Sequence, residues 1–175
     1  MKLLFPLAAM AFAAPAAAEV VSADAHGFEI RHSITLVVPQ PQAYAAFGQV
    51  DRWWSKTHTY SGDPSRLSLT LRPGGCLCER LDGGGGIEHL RVNYVEPNQR
   101  VVLTGGLGPL LFEATAGVMD VLVERTAGGS RITLYYRVAG FARGNGAELA
   151  PAVDQMLAEQ VKRLRLFAAA SRPAR

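Results

Sequence analysis

The C-terminal part of the chain carries the clearest periodic pattern. Between residues 148 and 170, apolar side chains recur at spacings of three and four: Leu149, Val153, Met156, Leu157, Val161, Leu164 and Phe167. This spacing places them on one face of an α-helix, with Pro151 in its first turn. A helix of about 20 residues is about 30 Å long, enough to lie across a whole sheet.

The rest of the chain is dominated by strand-like runs in which apolar and polar residues alternate. Residues 28–38 form the first run, and residues 41–54 then place Tyr44, Phe47 and Val50 at helical spacing. Six more strand-like runs follow a loop at 55–66: 67–72, 76–81, 87–95, 100–104, 117–125 and 131–139. Turns rich in glycine and proline separate them, which predicts antiparallel hairpins.

This order of elements predicts the α+β class. The apolar faces of the strands have to be buried, and the terminal helix is the only large amphipathic element that can cover them. A strongly curved sheet wrapped around a helix bends away from the helix axis. The gap between them is a candidate apolar cavity.

The N-terminus has the pattern of a secretory signal peptide. Lys2 gives a positive start, an apolar stretch follows, and Ala16-Ala17-Ala18 resembles a cleavage site before Glu19. The stretch is shorter than the roughly 20 residues that a membrane-spanning helix needs. We therefore predict a signal peptide at 1–18, a single domain at 19–175, and a periplasmic or secreted protein without an integral membrane segment after signal removal.

Charge and motifs exclude several functions. Without Lys2 the formal net charge falls from +3 to +2, which is too small for a nucleic-acid-binding surface. The run Gly83–Gly86 precedes a predicted strand and is not followed by the GK[ST] motif of a phosphate-binding loop. We therefore predict that it forms the tip of a hairpin. No motif indicates a cofactor, and none indicates an oligomeric state.

The two cysteines, Cys76 and Cys78, are two apart in a predicted strand and therefore share a face. An exported protein favours a disulfide. However, extended residues at this spacing have Cα atoms about 6.5–7 Å apart, near the limit for a bridge. A bulge at Gly74–Gly75 would relax the geometry. The sequence is therefore compatible with a disulfide and with two reduced thiols.

The hairpin that contains the cysteines also suggests a metal site. If it turns at its glycine run, Cys78 lies opposite His89. Cys76, Cys78 and His89 then share one face and, with His58, make a tetrahedral zinc set. A shift of one residue puts Glu79 opposite His89 and destroys the set.

Four segments and the terminal helix resemble the SRPBCC, or START-like, helix-grip superfamily. The segments are DRWWS (51–55), LSLTLRPGGCLCE (67–79), VEPNQRVVLT (95–104) and GGSRITLYYRVAGF (128–141). The resemblance is greatest to the branch of heat-shock-ATPase-activator homologues and polyketide cyclases. It implies a curved antiparallel sheet wrapped around a long C-terminal helix, with a cavity that often holds a hydrophobic small molecule. Members include lipid binders, hormone receptors, cyclases and co-chaperones, so the fold does not determine the function.

We therefore predict binding of a small hydrophobic molecule between the sheet and the terminal helix. The predicted ligand-binding residues are Trp53, Trp54, His58, Glu79, Phe112, Met119, Tyr136 and Met156. Within this set, His58 or Glu79 provides the polar anchor. The glycine-rich loop 105–113 is either a satellite of the core or a lid over the cavity.

An enzyme of the cyclase or dehydratase kind is the alternative. His58 would be its general acid or base, with Tyr60 or Glu79 assisting. Such an enzyme needs a titratable group inside the cavity. No catalytic triad order, paired carboxylate motif or HExxH sequence is present, which favours binding over catalysis.

Overall fold

The computed structural model describes residues 18–141 and 145–171. Eight strands form one antiparallel sheet: β1 (Ala18–Asp24), β2 (Gly27–Leu36), β3 (Leu67–Leu69), β4 (Cys76–Arg80), β5 (Gly86–Glu96), β6 (Arg100–Thr104), β7 (Ala114–Thr126) and β8 (Gly129–Phe141). Their spatial order is β1-β2-β8-β7-β6-β5-β4-β3. Three α-helices accompany the sheet: α1 (Gln40–Gly48), α2 (Val50–Trp53) and α3 (Gly146–Ala170).

The α+β architecture predicted from the sequence is confirmed, with a curved sheet and a long C-terminal helix. The strand β1 was not predicted, and it pairs with β2 at one edge of the sheet. The connection between β6 and β7 contains a short 3₁₀ helix, Gly108–Phe112. The predicted signal peptide lies outside the described residues except for Ala18. None of the helices in the described parts of the chain is both long and apolar enough to cross a membrane.

The inner face of the sheet forms the core. Alternate residues of β2 and β8 are buried, among them Ile30, Ile34, Ile132 and Leu134. This period of two is what a strand with one covered face requires. The helix α3 packs against β1 and β2 and contacts α1 and α2.

The two halves of α3 meet the sheet differently. Leu157, Val161 and Leu164 in the C-terminal half are buried in the core. Val153 and Met156 in the N-terminal half are only half-buried. The helix therefore closes the fold at one end and leaves space at the other.

Trp53 helps to fix the closed end. Its indole N–H donates to the Ala46 carbonyl oxygen at 3.0 Å, and its ring stacks on Phe47 at a centroid distance of 6.2 Å. Arg163 of α3 donates from Nε to the Trp53 carbonyl oxygen at 2.7 Å. These contacts join α1, α2 and α3.

Tyr136 holds the long connection between β6 and β7 against the sheet. Its hydroxyl accepts from the Leu107 backbone N–H at 3.0 Å and donates to the Gly105 carbonyl oxygen at 3.1 Å. Burial raises the pKa of the Tyr136 hydroxyl to about 12, although the Leu107 hydrogen bond opposes the rise. Tyr136 is therefore a neutral donor and acceptor in the core.

We expect Tyr136→Phe to destabilise the fold, because the Leu107 N–H and the Gly105 carbonyl both lose a partner. The expected cost is about 1–3 kcal/mol in the free energy of unfolding. Urea denaturation measures it, with Tyr135→Phe as the matched control. Equal stability of the two variants would contradict the assigned role.

Candidate ligand-binding site

A cavity of about 430 Å³ lies beside the N-terminal half of α3. Its wall is mostly apolar and includes Leu77, Leu107, Leu110, Leu149, Val153 and Met156. Its polar members come chiefly from two places: the segment 57–60 after α2, and His89 of β5. The helix, the strands β4 and β5, and two loops therefore enclose one space.

A β-bulge turns His89 toward this space. Leu77 of β4 pairs with Leu90, but the next residue, Cys78, pairs with Glu88. His89 is thus an extra residue in β5 with no partner in β4. As a result His89 and Leu90 are both buried although they are consecutive. The predicted register, with Cys78 opposite His89, is wrong.

Cys76 and Cys78 form a disulfide. Their Cα atoms are 5.3 Å apart, closer than the roughly 6.5–7 Å of a fully extended strand. The bridge lies in the part of β4 that faces the bulge. The alternate residues Leu77 and Glu79 point to the inner face of the sheet and are buried.

The zinc hypothesis is therefore wrong. Zinc binds cysteine as thiolate, and both sulfur atoms are committed to the disulfide. His89 lies on the buried face of its strand, whereas the cysteines are half-exposed. Glu88 lies near the two sulfur atoms, but the bridged pair leaves it without thiolate partners.

Glu79 is a buried carboxylate that orients His89. It accepts from the backbone N–H groups of Tyr60 at 3.2 Å and Ser61 at 2.5 Å, and lies 3.0 Å from Nε2 of His89. Burial alone would raise the pKa of Glu79, but these hydrogen bonds outweigh it and lower the pKa. An ionised carboxylate only accepts, so Nε2 of His89 carries a proton.

Gln160 of α3 orients His58 in a comparable way. The Gln160 side-chain Oε1 accepts from the Ser55 backbone N–H at 2.9 Å, so its Nε2 is the donor. That Nε2 lies 3.1 Å from Nδ1 of His58. Nδ1 must therefore accept, which leaves the proton of neutral His58 on Nε2. Glu159 is farther away, with Oε2 at 3.7 Å from the same Nδ1.

Four of the residues predicted from the sequence line the cavity. They are Trp54, His58, Tyr60 and Met156. Tyr60 lies at the rim with 46% of its surface exposed, and its ring stacks on His89 at a centroid distance of 5.9 Å. The loop 105–113 contributes Leu107, Gly108, Pro109, Leu110 and Glu113 to the wall, so it covers one side of the cavity.

Five of the predicted ligand-binding residues lie elsewhere. Trp53 and Met119 border a separate void of about 20 Å³ inside the core. Tyr136 is buried, as the alternation of apolar and polar residues in its strand predicts, but it belongs to the core and does not line the cavity. Phe112 is 68% exposed and meets Tyr60 edge-on. Glu79 stands behind His89 instead of in the wall.

His89 was not predicted as a cavity residue, and Gln160 was not predicted as a functional residue at all. The bulge that turns His89 inward leaves no mark in the alternation of β5. Gln160 did have a signal. It falls between Leu157, Val161 and Leu164 on the apolar face of α3, where a buried amide needs fixed partners.

Comparison with known proteins gives fold relatives only. No protein-family model and no curated protein matches the chain. An uncharacterized protein from Rhizobium leguminosarum is 21% identical, with a TM-score of 0.57, and the match covers 84% of this chain and 96% of that one. A Rhodobacter sphaeroides protein is 17% identical, with a TM-score of 0.56 and coverages of 89% and 100%. CalU16 from Micromonospora echinospora is 14% identical, with a TM-score of 0.53 and coverages of 82% and 76%.

These similarities and the topology define the class. The chain has the helix-grip fold, in which a curved antiparallel sheet is packed against a long C-terminal helix. At this level of identity the neighbours show the fold alone. The function has to be argued from the cavity of this chain.

We expect Glu79→Gln to cost about 1–3 kcal/mol of unfolding free energy at neutral pH, because charged hydrogen bonds are lost. The pKa of Glu79 is lowered in the folded state, so its contribution is present above the ordinary value of 4.5 and disappears as the pH falls through the lowered pKa. Urea denaturation of both proteins over a pH series measures this. A difference that stays constant to strongly acidic pH would contradict it.

We expect the double variant Cys76→Ser/Cys78→Ser to remain folded but to change the environment of His89. A bridge across so short a loop contributes only about 1–2 kcal/mol. Imidazole NMR signals report the change, with the exposed His26 as the internal control. An unchanged His89 signal would show that the bulge forms without the disulfide.

Proposed function

We propose that this protein binds an uncharged, hydrophobic small molecule in the cavity beside α3. The observation that carries the proposal is the cavity itself, with a volume of about 430 Å³ and a mostly apolar wall. Small-molecule sites typically have volumes of about 300–1,000 Å³ and few polar groups. Burial of apolar surface supplies the main driving force for such a ligand.

The composition of the wall favours an uncharged ligand. None of the described residues that line the cavity is Lys or Arg. A carboxylate or sulfonate would therefore lose its hydration without gaining a fixed positive partner from these described residues. The helix-grip proteins as a class accommodate hydrophobic ligands, which agrees with this assignment.

His58 and His89 are the polar anchors of the proposed site. Both line the cavity, and each is oriented through one ring nitrogen by a buried side chain, Gln160 or Glu79. A ligand with one polar group in an otherwise apolar skeleton matches this wall. Tyr60 at the rim adds a hydroxyl and an aromatic face.

We propose further that the protein acts in the periplasm or outside the cell. Two observations support this. The N-terminal residues have the order of a secretory signal, and the Cys76–Cys78 disulfide is typical of oxidising compartments.

Binding is tested with N-phenylnaphthylamine, a neutral fluorophore whose emission rises in apolar surroundings. We expect saturable binding by the wild-type protein and roughly 10-fold weaker binding by Val153→Phe, because the larger side chain fills the cavity. Val37→Phe, the same change at an exposed position, is the matched control. Equal affinity of all three proteins would place the probe outside the cavity.

The charge preference is tested with anilinonaphthalene sulfonate, an anionic probe of similar size. We expect it to bind at least about 10-fold more weakly than the neutral probe. Stronger binding of the anion, reduced by Val153→Phe, would contradict an uncharged ligand.

A further inference from the structure

The two histidines of the cavity are held in complementary states. Glu79 accepts a hydrogen bond from the Nε2–H group of His89, so the acceptor lone pair of the neutral ring is on Nδ1. Among the residues that the structure describes, none forms a hydrogen bond with that Nδ1. Because His89 lines the cavity, Nδ1 is the nitrogen left for a bound molecule.

His58 presents the opposite polarity. Its Nδ1 accepts from Gln160, so its Nε2 carries the proton and can donate to a ligand. The orientation is firm because Gln160 is buried and its Oε1 is taken by the Ser55 backbone. One cavity therefore contains a hydrogen-bond acceptor of basic character and a neutral hydrogen-bond donor.

We propose that the cavity is a proton-transfer site for neutral carbonyl compounds, with His89 as the base and His58 as the donor to the carbonyl oxygen. This inference rests on the binding function proposed above and adds catalysis to it. It also differs from the expectation drawn from the sequence, because the base is His89 and His58 stabilises developing charge.

The reaction is an enolisation. Nδ1 of His89 takes a proton from the carbon next to the carbonyl group, and the C–H electron pair becomes a carbon–carbon double bond. The carbonyl π pair moves to the oxygen, which receives the hydrogen bond from Nε2 of His58. Return of the proton to the same or a conjugated carbon gives exchange or isomerisation, so no oxidant, reductant or other co-reactant is needed.

Glu79 is a positioning residue in this scheme. It fixes the tautomer of His89, and its negative charge offsets the positive charge that the imidazole gains on taking the proton. Its own three hydrogen bonds keep it in place. Only 6% of the His89 surface is exposed, and these surroundings of low polarity strengthen its electrostatic interactions.

The substrate class follows from the wall. A neutral ketone with an acidic C–H next to the carbonyl, carried on an apolar bicyclic skeleton, places one oxygen at a donor and one C–H at a base. The lack of Lys and Arg among the described wall residues disfavours anionic acids. β-Tetralone is a simple compound with these properties and serves as the probe.

Exchange of the acidic hydrogens of β-tetralone for deuterium, followed by NMR in deuterated buffer, tests the proposal. We expect saturable exchange by the wild-type protein above the buffer rate. His89→Gln should lower kcat by about 100-fold or more, because the amide cannot act as a base. His58→Leu should lower kcat by about 100-fold, because the oxygen loses its donor. His26→Gln replaces an exposed histidine that does not line the cavity and should leave kcat unchanged.

The effect of a Glu79 variant on kcat and on KM separates catalysis from a structural role. Glu79→Gln should lower kcat for exchange and leave the KM for β-tetralone unchanged, because Glu79 orients His89 and does not itself line the cavity. The titratable groups in contact with His89 are Glu79 and Tyr60, and His58 and Glu113 also line the cavity. Burial and the charge of Glu79 raise the pKa of Tyr60, so its hydroxyl remains neutral.

Binding of N-phenylnaphthylamine is measured for every variant. Retained binding with lost exchange in His89→Gln supports the proposal and shows that the cavity has survived the substitution. Exchange equal to the wild-type rate in His89→Gln overturns it. Wild-type protein that binds the fluorophore but gives no exchange above buffer also overturns it, and leaves the binding function standing alone.

Discussion

One long helix has to cover the inner face of an eight-stranded sheet. Eight strands about 4.8 Å apart span more than 30 Å, whereas a helix with its side chains is about 10–12 Å across. The remaining width has to be covered by short elements, and α1, α2 and the segment after α2 do so only in part. The cavity beside the N-terminal half of α3 is the part of that face that none of them fills.

This incomplete coverage explains why the polar side chains of the wall are so firmly held. A carboxylate or an amide next to an apolar cavity cannot rely on water, so it needs protein partners. Glu79 finds them in β5 and in the chain after α2, and Gln160 finds them in the same stretch. The segment 55–61 is therefore tied to the sheet on one side and to the helix on the other. The hydrogen bonds that satisfy the buried groups also set the chemistry of the two histidines.

The sequence predicted the large elements because their patterns are long and repeated. The apolar spacing of α3 and the alternation of β2 and β8 each depend on many residues, so no single exception disturbs them. The site depends on single exceptions. The bulge at His89 changes which face of the sheet this side chain occupies. The consecutive residues Trp53 and Trp54 have different surroundings because α2 ends at Trp53. The edge strand β1 was missed because its residues 19–24 are all exposed, so no alternation of buried and exposed positions marks it.

The Cys76–Cys78 bridge places a covalent constraint beside the cavity. It faces the bulge that turns His89 inward, so oxidation of two thiols constrains the strand against which this bulge forms. A chain with reduced cysteines lacks this covalent constraint on β4. The cavity wall described above is therefore that of the oxidised protein.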